Sequence, residues 1–233
     1  MPDIIQLKQL TKAYGSKVVL ENIDLAIPGG SIIGLMGPNG CGKTSLMKIL
    51  SGMINDYQGI VRIDGQPVGA YSKSITAYLP DKSYLPAWMN CKQCIRYMAD
   101  FYHNFDIDKA FKMLKSFQLE PTQRVKTMSK GMIEKLLLLL TMCRNAKLYV
   151  LDEPLGGVDP SARQFIMDTI LNNRPEGSSI LLSTHMIYDM ERVFDLVLMI
   201  GRKQVLLYDT VENLEVQGKN LNLLFQEVFP YIG

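Results

Sequence analysis

Cysteine is scarce. Four in 233 residues are too few to hold a chain of this length together as a disulfide scaffold. The one close pair, Cys91-x-x-Cys94, has no second ligand pair at zinc spacing, so packing on a helix is the plainer reading than metal or redox use. Charge of one sign is also lacking: 25 basic against 23 acidic residues leave a formal net charge of +2. A protein that gripped nucleic acid by neutralising phosphates would carry a clear basic excess, so no nucleic-acid partner is expected. Long apolar runs are missing too. Leu136 to Leu140 is the longest nearly pure one, far short of the roughly 18 residues that suggest a membrane-spanning helix. The opening Met1-Pro2-Asp3-Ile4-Ile5-Gln6 has neither the basic nor the apolar region of a secretion signal, which makes the cytoplasm the expected compartment. No repeat, low-complexity tract or Pro/Ser-rich linker divides the chain.

What is present is a globular composition, 47% hydrophobic, with a strand-helix alternation. Asn22 to Ile27 alternates polar and apolar, as a half-buried strand does, and Gly29-Gly30 makes a turn. Ser31–Met36, Leu148–Leu151, Ser179–Leu182 and Asp195–Ile200 are short apolar runs suited to strands buried on both faces of a parallel sheet. Helical patterns cover Lys43–Leu50, Pro160–Leu171 and Met186–Val193. Between Asp81 and Cys143 the rhythm changes. Lys92–His103, Ile107–Phe117 and Met132–Arg144 carry apolar residues at helical spacing, which predicts a helical subdomain, about 82–145, inserted in a single α/β domain spanning 1–233. The residues after Arg202 are too few for a core of their own. Leu221–Phe229 is expected to be a short amphipathic helix docked on the main domain.

The sharpest motif is Gly37-Pro38-Asn39-Gly40-Cys41-Gly42-Lys43-Thr44, which fits G-x-x-x-x-G-K-[ST] between a predicted strand and a predicted helix. Glycines let backbone N–H groups close around phosphate, and the helix start faces the anion. Asn39, Gly40, Cys41, Gly42, Lys43, Thr44 and Ser45 are therefore the candidate phosphate-binding residues, with Lys43 reaching the β- and γ-phosphates and the Thr44 hydroxyl on Mg²⁺. Leu148-Tyr149-Val150-Leu151 ends in Asp152-Glu153. Ligands of open α/β sheets gather at the carboxyl ends of strands, which sets this pair beside the loop. Asp152 is the candidate Mg²⁺ ligand and Glu153 the candidate residue that orients and polarises an attacking water.

The order and spacing of these motifs, over nearly the whole chain, resemble the ATP-binding cassette family, the ATPase subunits of ABC transporters. The resemblance implies a P-loop NTPase core of mostly parallel sheet, an N-terminal antiparallel β subdomain and an inserted helical subdomain. It implies that Tyr14, in Lys12-Ala13-Tyr14-Gly15, stacks on adenine; from the residue alone, Tyr14 is a sheet-boundary tyrosine. Met128-Ser129-Lys130-Gly131-Met132 is similar to the family's signature, keeping Ser129 and Gly131, which in the family meet the γ-phosphate held by a second subunit. Read alone, Ser129 is a helix N-cap. Gly156-Gly157-Val158-Asp159 resembles the loop that crosses the dimer seam, and Asp159 before Pro160 is equally an N-cap. His185 matches the switch histidine. Asp81, after Tyr78-Leu79-Pro80, stands where the family has glutamine, so it is assigned to the metal and the catalytic water with a difference: an ionised carboxylate accepts hydrogen bonds but donates none.

The resemblance implies ATP and Mg²⁺ as cofactors, and as partners a second cassette chain and a separate membrane permease, at the cytoplasmic face of the membrane. The permease is expected to dock near Tyr84, Leu85, Trp88 and Met89, a cluster that internal packing explains equally well. The signature variant and short tail are similar to cassettes of exporters. A nucleotide-regulated interaction module with weak hydrolysis, motivated by Asp81, and a soluble cassette ATPase outside transport are the alternatives.

Overall fold

The computed structural model describes residues 2–156, 160–184 and 191–230. Its first two strands, β1 (Asp3–Tyr14) and β2 (Lys17–Pro28), form an antiparallel hairpin. The sequence signalled only part of it, because bulges interrupt the two-residue period. Gln9 and Asn22 both adopt φ of +51°, and the β1–β2 register shifts between Leu7 and Leu10. β3 (Ile32–Met36) leads through the phosphate-loop motif into α1 (Lys43–Leu50). β4 (Gln58–Ile63) and β5 (Gln66–Pro67) complete a four-stranded antiparallel sheet in the order β2-β1-β4-β5.

After α2 (Ala70–Ile75) and β6 (Thr76–Leu79) come three helices, α3 (Cys91–Phe101), α4 (Ile107–Ser116) and α5 (Lys130–Met142). Each starts where the sequence supplies a cap. Asn90 and Gln93 exchange side chain-to-backbone hydrogen bonds, Asp106 accepts from the Lys109 N–H and Ser129 from the Met132 N–H. Cys91 and Cys94 are free thiols of α3 buried in the core, each pushed up to about 11 chiefly by burial.

The chain then returns through β7 (Leu148–Asp152), α6 (Pro160–Asn172), β8 (Ser179–Ser183), β9 (Leu196–Gly201), β10 (Gln204–Thr210), α7 (Val211–Val216) and α8 (Leu221–Val228). The six-stranded sheet runs β10-β9-β3-β8-β7-β6, parallel except at the β10 edge. Its unbroken apolar strands serve two cores at once. Ile33, Leu35, Leu148, Val150 and Leu181 face α1 and the antiparallel sheet, whereas Ile32, Met36, Tyr149, Leu151 and Leu182 face the helices α3–α5 and the C-terminal helices. Leu221 and Leu224 of α8 join that second core, so the C-terminal segment is docked, as its amphipathic pattern predicts. Of the helix expected over Met186–Val193, residues 186–190 lie outside the described residues, and Glu191–Val193 forms a single 3-10 turn.

The joint between sheet and helices is tied by Arg144, just beyond α5. Its guanidinium lies 3.7 Å from the Tyr102 ring centroid and donates to the carbonyls of Ser74 (2.8 Å) and Thr76 (2.5 Å) and to Asn104 Oδ1 (3.3 Å). These contacts anchor the end of α5 to the chain that links α2 and β6.

Candidate functional site

The site grows from the carboxyl edge of the parallel sheet. Beyond β3 the chain bends through 37–42 into α1, and glycine is required at two points of that bend. A Cβ on Gly37, whose φ is +154°, would lie 2.2 Å from the Ile200 carbonyl oxygen; one on Gly42, at φ +111°, would lie 2.9 Å from the Val19 carbonyl oxygen. Backbone on both sides cannot step aside, so the loop is pinned between β9 and β2. Gly42 is the N-cap of α1 and offers no side-chain cap, which leaves the first-turn N–H groups for an anion.

Asn39, Gly40, Gly42, Lys43, Thr44 and Ser45 line one side of a cavity of about 540 Å³, and Asp81, Asp152 and Glu153 line the other. The acidic strand end and the loop, far apart in sequence, thus open onto one space. Lys43 is buried and folds back over the loop, donating to the carbonyls of Gly37 (2.7 Å) and Pro38 (3.2 Å). Cys41 is half-buried outside the cavity lining, and burial raises its thiol pKa against the opposing charge of Lys43.

Asp152 is the last residue of β7 and is 2% exposed. Its Oδ1 accepts from Ser183 Oγ at 2.8 Å, while Oδ2 is buried with no hydrogen-bond partner. A buried, half-satisfied carboxylate on a residue that lines the same cavity as Thr44 suits a hard cation. Among the described residues no three His, Cys, Asp or Glu side chains converge to cage an ion alone. Glu153 adopts φ of +50°, uncommon for a residue with a side chain, and its N–H donates to the same Ser183 Oγ at 2.8 Å. One hydroxyl therefore orients both acidic residues. Ser183 escaped the sequence reading, although it adjoins the Thr184-His185 pair. Its role comes from strand order: it is level with Leu35 of β3 on one side and with Asp152 of β7 on the other.

Tyr14, at the end of β1, is half-exposed beside α1, its hydroxyl 3.2 Å from Ser45 Oγ. Lys12 was also missed. It is buried, its Nζ lies 4.6 Å from the Tyr14 ring centroid, and it is anchored by Asp56 through the carbonyl (2.6 Å) and Oδ2 (3.0 Å). Ser129 and Gly131 are at the start of α5 and line neither the cavity of about 540 Å³ nor the one of about 900 Å³ described below, while Lys130 lies 3.7 Å from Glu134. His185 and the 157–159 segment, Asp159 included, lie outside the described residues.

A second cavity, of about 900 Å³, lies between α1, β6 and the helices; Thr44, Asp81 and Asp152 line both cavities. The Tyr84–Met89 cluster divides at its rim. Tyr84 lines this second cavity and Trp88 is 64% exposed, but Met89 is buried and Leu85 packs on the core, so those two belong to internal packing.

A family model described as "ABC transporter" matches residues 20–156, more than half of the chain. The chain belongs to the ABC transporter family. It is 30% identical to the lantibiotic transport ATP-binding protein SrtF of Streptococcus pyogenes over 96% of this chain and 99% of that one. It is 28% identical to the Nod factor export ATP-binding protein I of Sinorhizobium fredii over 97% and 71%. A solved structure titled as the ATP-binding subunit of an ABC transporter superposes with a TM-score of 0.88 at 25% identity, covering 97% of this chain and 99% of that one. This ABC transporter chain is accordingly an ATP-binding and ATP-hydrolysing subunit with the P-loop NTPase fold. No described helix is long and apolar enough to cross a membrane.

Proposed function

We propose that this cassette binds Mg²⁺-ATP in the cavity of about 540 Å³ and drives a separate membrane permease, in the direction of export. The observation that carries the reading is the meeting, in one cavity, of the phosphate loop and the half-satisfied Asp152 carboxylate. Lys43 leaves its loop carbonyls for the β- and γ-phosphates, and the α1 N-terminus receives the anion. Thr44, Asp152 and Asp81 would hold Mg²⁺, and the ion would supply charge neutralisation. Glu153 orients and polarises the attacking water, while Tyr14 stacks on adenine and His185 contacts the γ-phosphate.

Ser129 and Gly131 act on the nucleotide of a second cassette chain, so two chains close around ATP and separate when the γ-phosphate is lost. Helices at about 82–145 work as an inserted subdomain of a single 1–233 cassette. The permease docks on the groove beside them, over Tyr84 and Trp88, at the cytoplasmic face of the membrane. Export is favoured by likeness to relatives named for lantibiotic transport, Nod factor export and SkfA peptide export.

Glu153→Gln tests the assignment. ATP hydrolysis is expected to fall about 100- to 10,000-fold while ATP binding persists, and the ATP-loaded chain should elute as a lasting dimer. Undiminished hydrolysis would assign the water to another residue.

A further inference from the structure

Tyr78 has no role in the assignments above, yet its hydroxyl is buried without a hydrogen-bond partner, as is Asp152 Oδ2. β6 and β7 are parallel neighbours with Tyr78 level with Val150, so the two-residue period puts Tyr78, Val150 and Asp152 on one face of the sheet. Tyr78, Asp152, Thr44 and Asp81 also line the same cavity. Buried polar atoms are rarely left unmet, and two of them on residues that line one cavity suit a shared hydrogen-bonding partner. The groups have complementary senses. Asp152 and Asp81 only accept when ionised, whereas a phenol donates. Burial first, then the charges of Asp152 and Asp81, push the Tyr78 pKa up and keep that proton in place. The ring itself packs in the apolar core with α1, so its position is fixed independently of the hydroxyl.

We propose that Tyr78 is a positioning residue whose hydroxyl donates to a water shared with Asp152 Oδ2, fixing the hydration at the edge of the Mg²⁺ site. The inference rests on the reading of Thr44 and Asp152 as the metal side of the nucleotide site. It predicts a contribution to metal-assisted binding and none to binding of the bare nucleotide.

The test uses the full chain and a fluorescent ATP analogue, with Kd measured in EDTA and again in Mg²⁺. The ratio of the two isolates what the metal adds. Tyr78→Phe is expected to shrink that ratio about three- to tenfold, the worth of one hydrogen bond, and to leave the EDTA Kd unchanged. Its Tm in EDTA should be nearly unchanged, because the ring that packs against the apolar core is kept. A ratio equal to wild type overturns the proposal, and a lowered Tm in EDTA with that same ratio assigns Tyr78 to packing alone. Asp152→Asn separates this outcome from failure of the underlying site. If it collapses the ratio while Tyr78→Phe does not, only the Tyr78 inference falls; if it too matches wild type, the metal site is misplaced and the proposal falls with it.

Discussion

Gly37 in the phosphate loop and Gly131 at the start of α5 belong to two motifs of one enzyme, but the chain needs them for different reasons. At Gly37 a methyl group would meet the Ile200 carbonyl oxygen at 2.2 Å; at Gly131 it would meet nothing within 4 Å. The phosphate loop is finished within the chain, shaped by β9 and β2 and filled in part by Lys43. The Ser129–Gly131 loop is an uncovered surface whose glycine answers to no contact in its own fold. A Cβ at Gly131 would meet only open space, which leaves room for the second cassette chain proposed above.

The comparison can be broken at either end. Gly37→Ala is expected to cost about 2–5 kcal/mol through strained φ and overpacking against backbone, and to abolish ATP binding with it; thermal unfolding and nucleotide titration read both. Gly131→Ala should do the reverse. With open space around it and a better helix former in place, stability should hold or rise by up to about 1 kcal/mol. ATP binding to the isolated chain should be unaffected, and hydrolysis should fall about tenfold or more, a loss near 1.4 kcal/mol of barrier stabilisation. Full hydrolysis in that variant would remove the case for a partner surface at α5.

A contact remote from both motifs sets the scale of a merely structural effect. Asp64 Oδ2 accepts from Lys147 Nζ (2.7 Å) and from the Tyr71 hydroxyl (2.5 Å), and these hydrogen bonds hold its carboxyl below the ordinary carboxylate range. A depressed folded pKa stabilises at pH above the unfolded value and is lost as pH falls through the folded one. The wild type should therefore lose a small increment on acidification below about pH 4, under about 1 kcal/mol for so exposed a pair. In Asp64→Asn that increment should be absent from the pH dependence of Tm.

Legibility followed locality. Lys43–Leu50 was readable to the residue because its glycines, lysine and apolar spacing are contiguous. The helices α3–α5 were readable to within about two residues from their apolar spacing. β1 was missed because the irregularity at Gln9 breaks the alternation that marks a strand. Ser183, Tyr78 and Lys12 were missed for another reason: nothing about a serine, tyrosine or lysine in its own segment marks the group it will meet. Only the order β3-β8-β7-β6 sets Ser183 between loop and acids and Tyr78 on the same face as Asp152.

By itself, the sequence determined the elements whose cause lies within a few residues: buried strands from apolar runs, helix starts from caps, an anion-binding bend from glycines followed by lysine. The tertiary structure decided which of those ends share a space, because strand order is set by how two cores fill on opposite faces of one sheet, a sum over residues distant in the chain. The half-met Asp152, the bridging Ser183 and the uncovered α5 start exist only at that level.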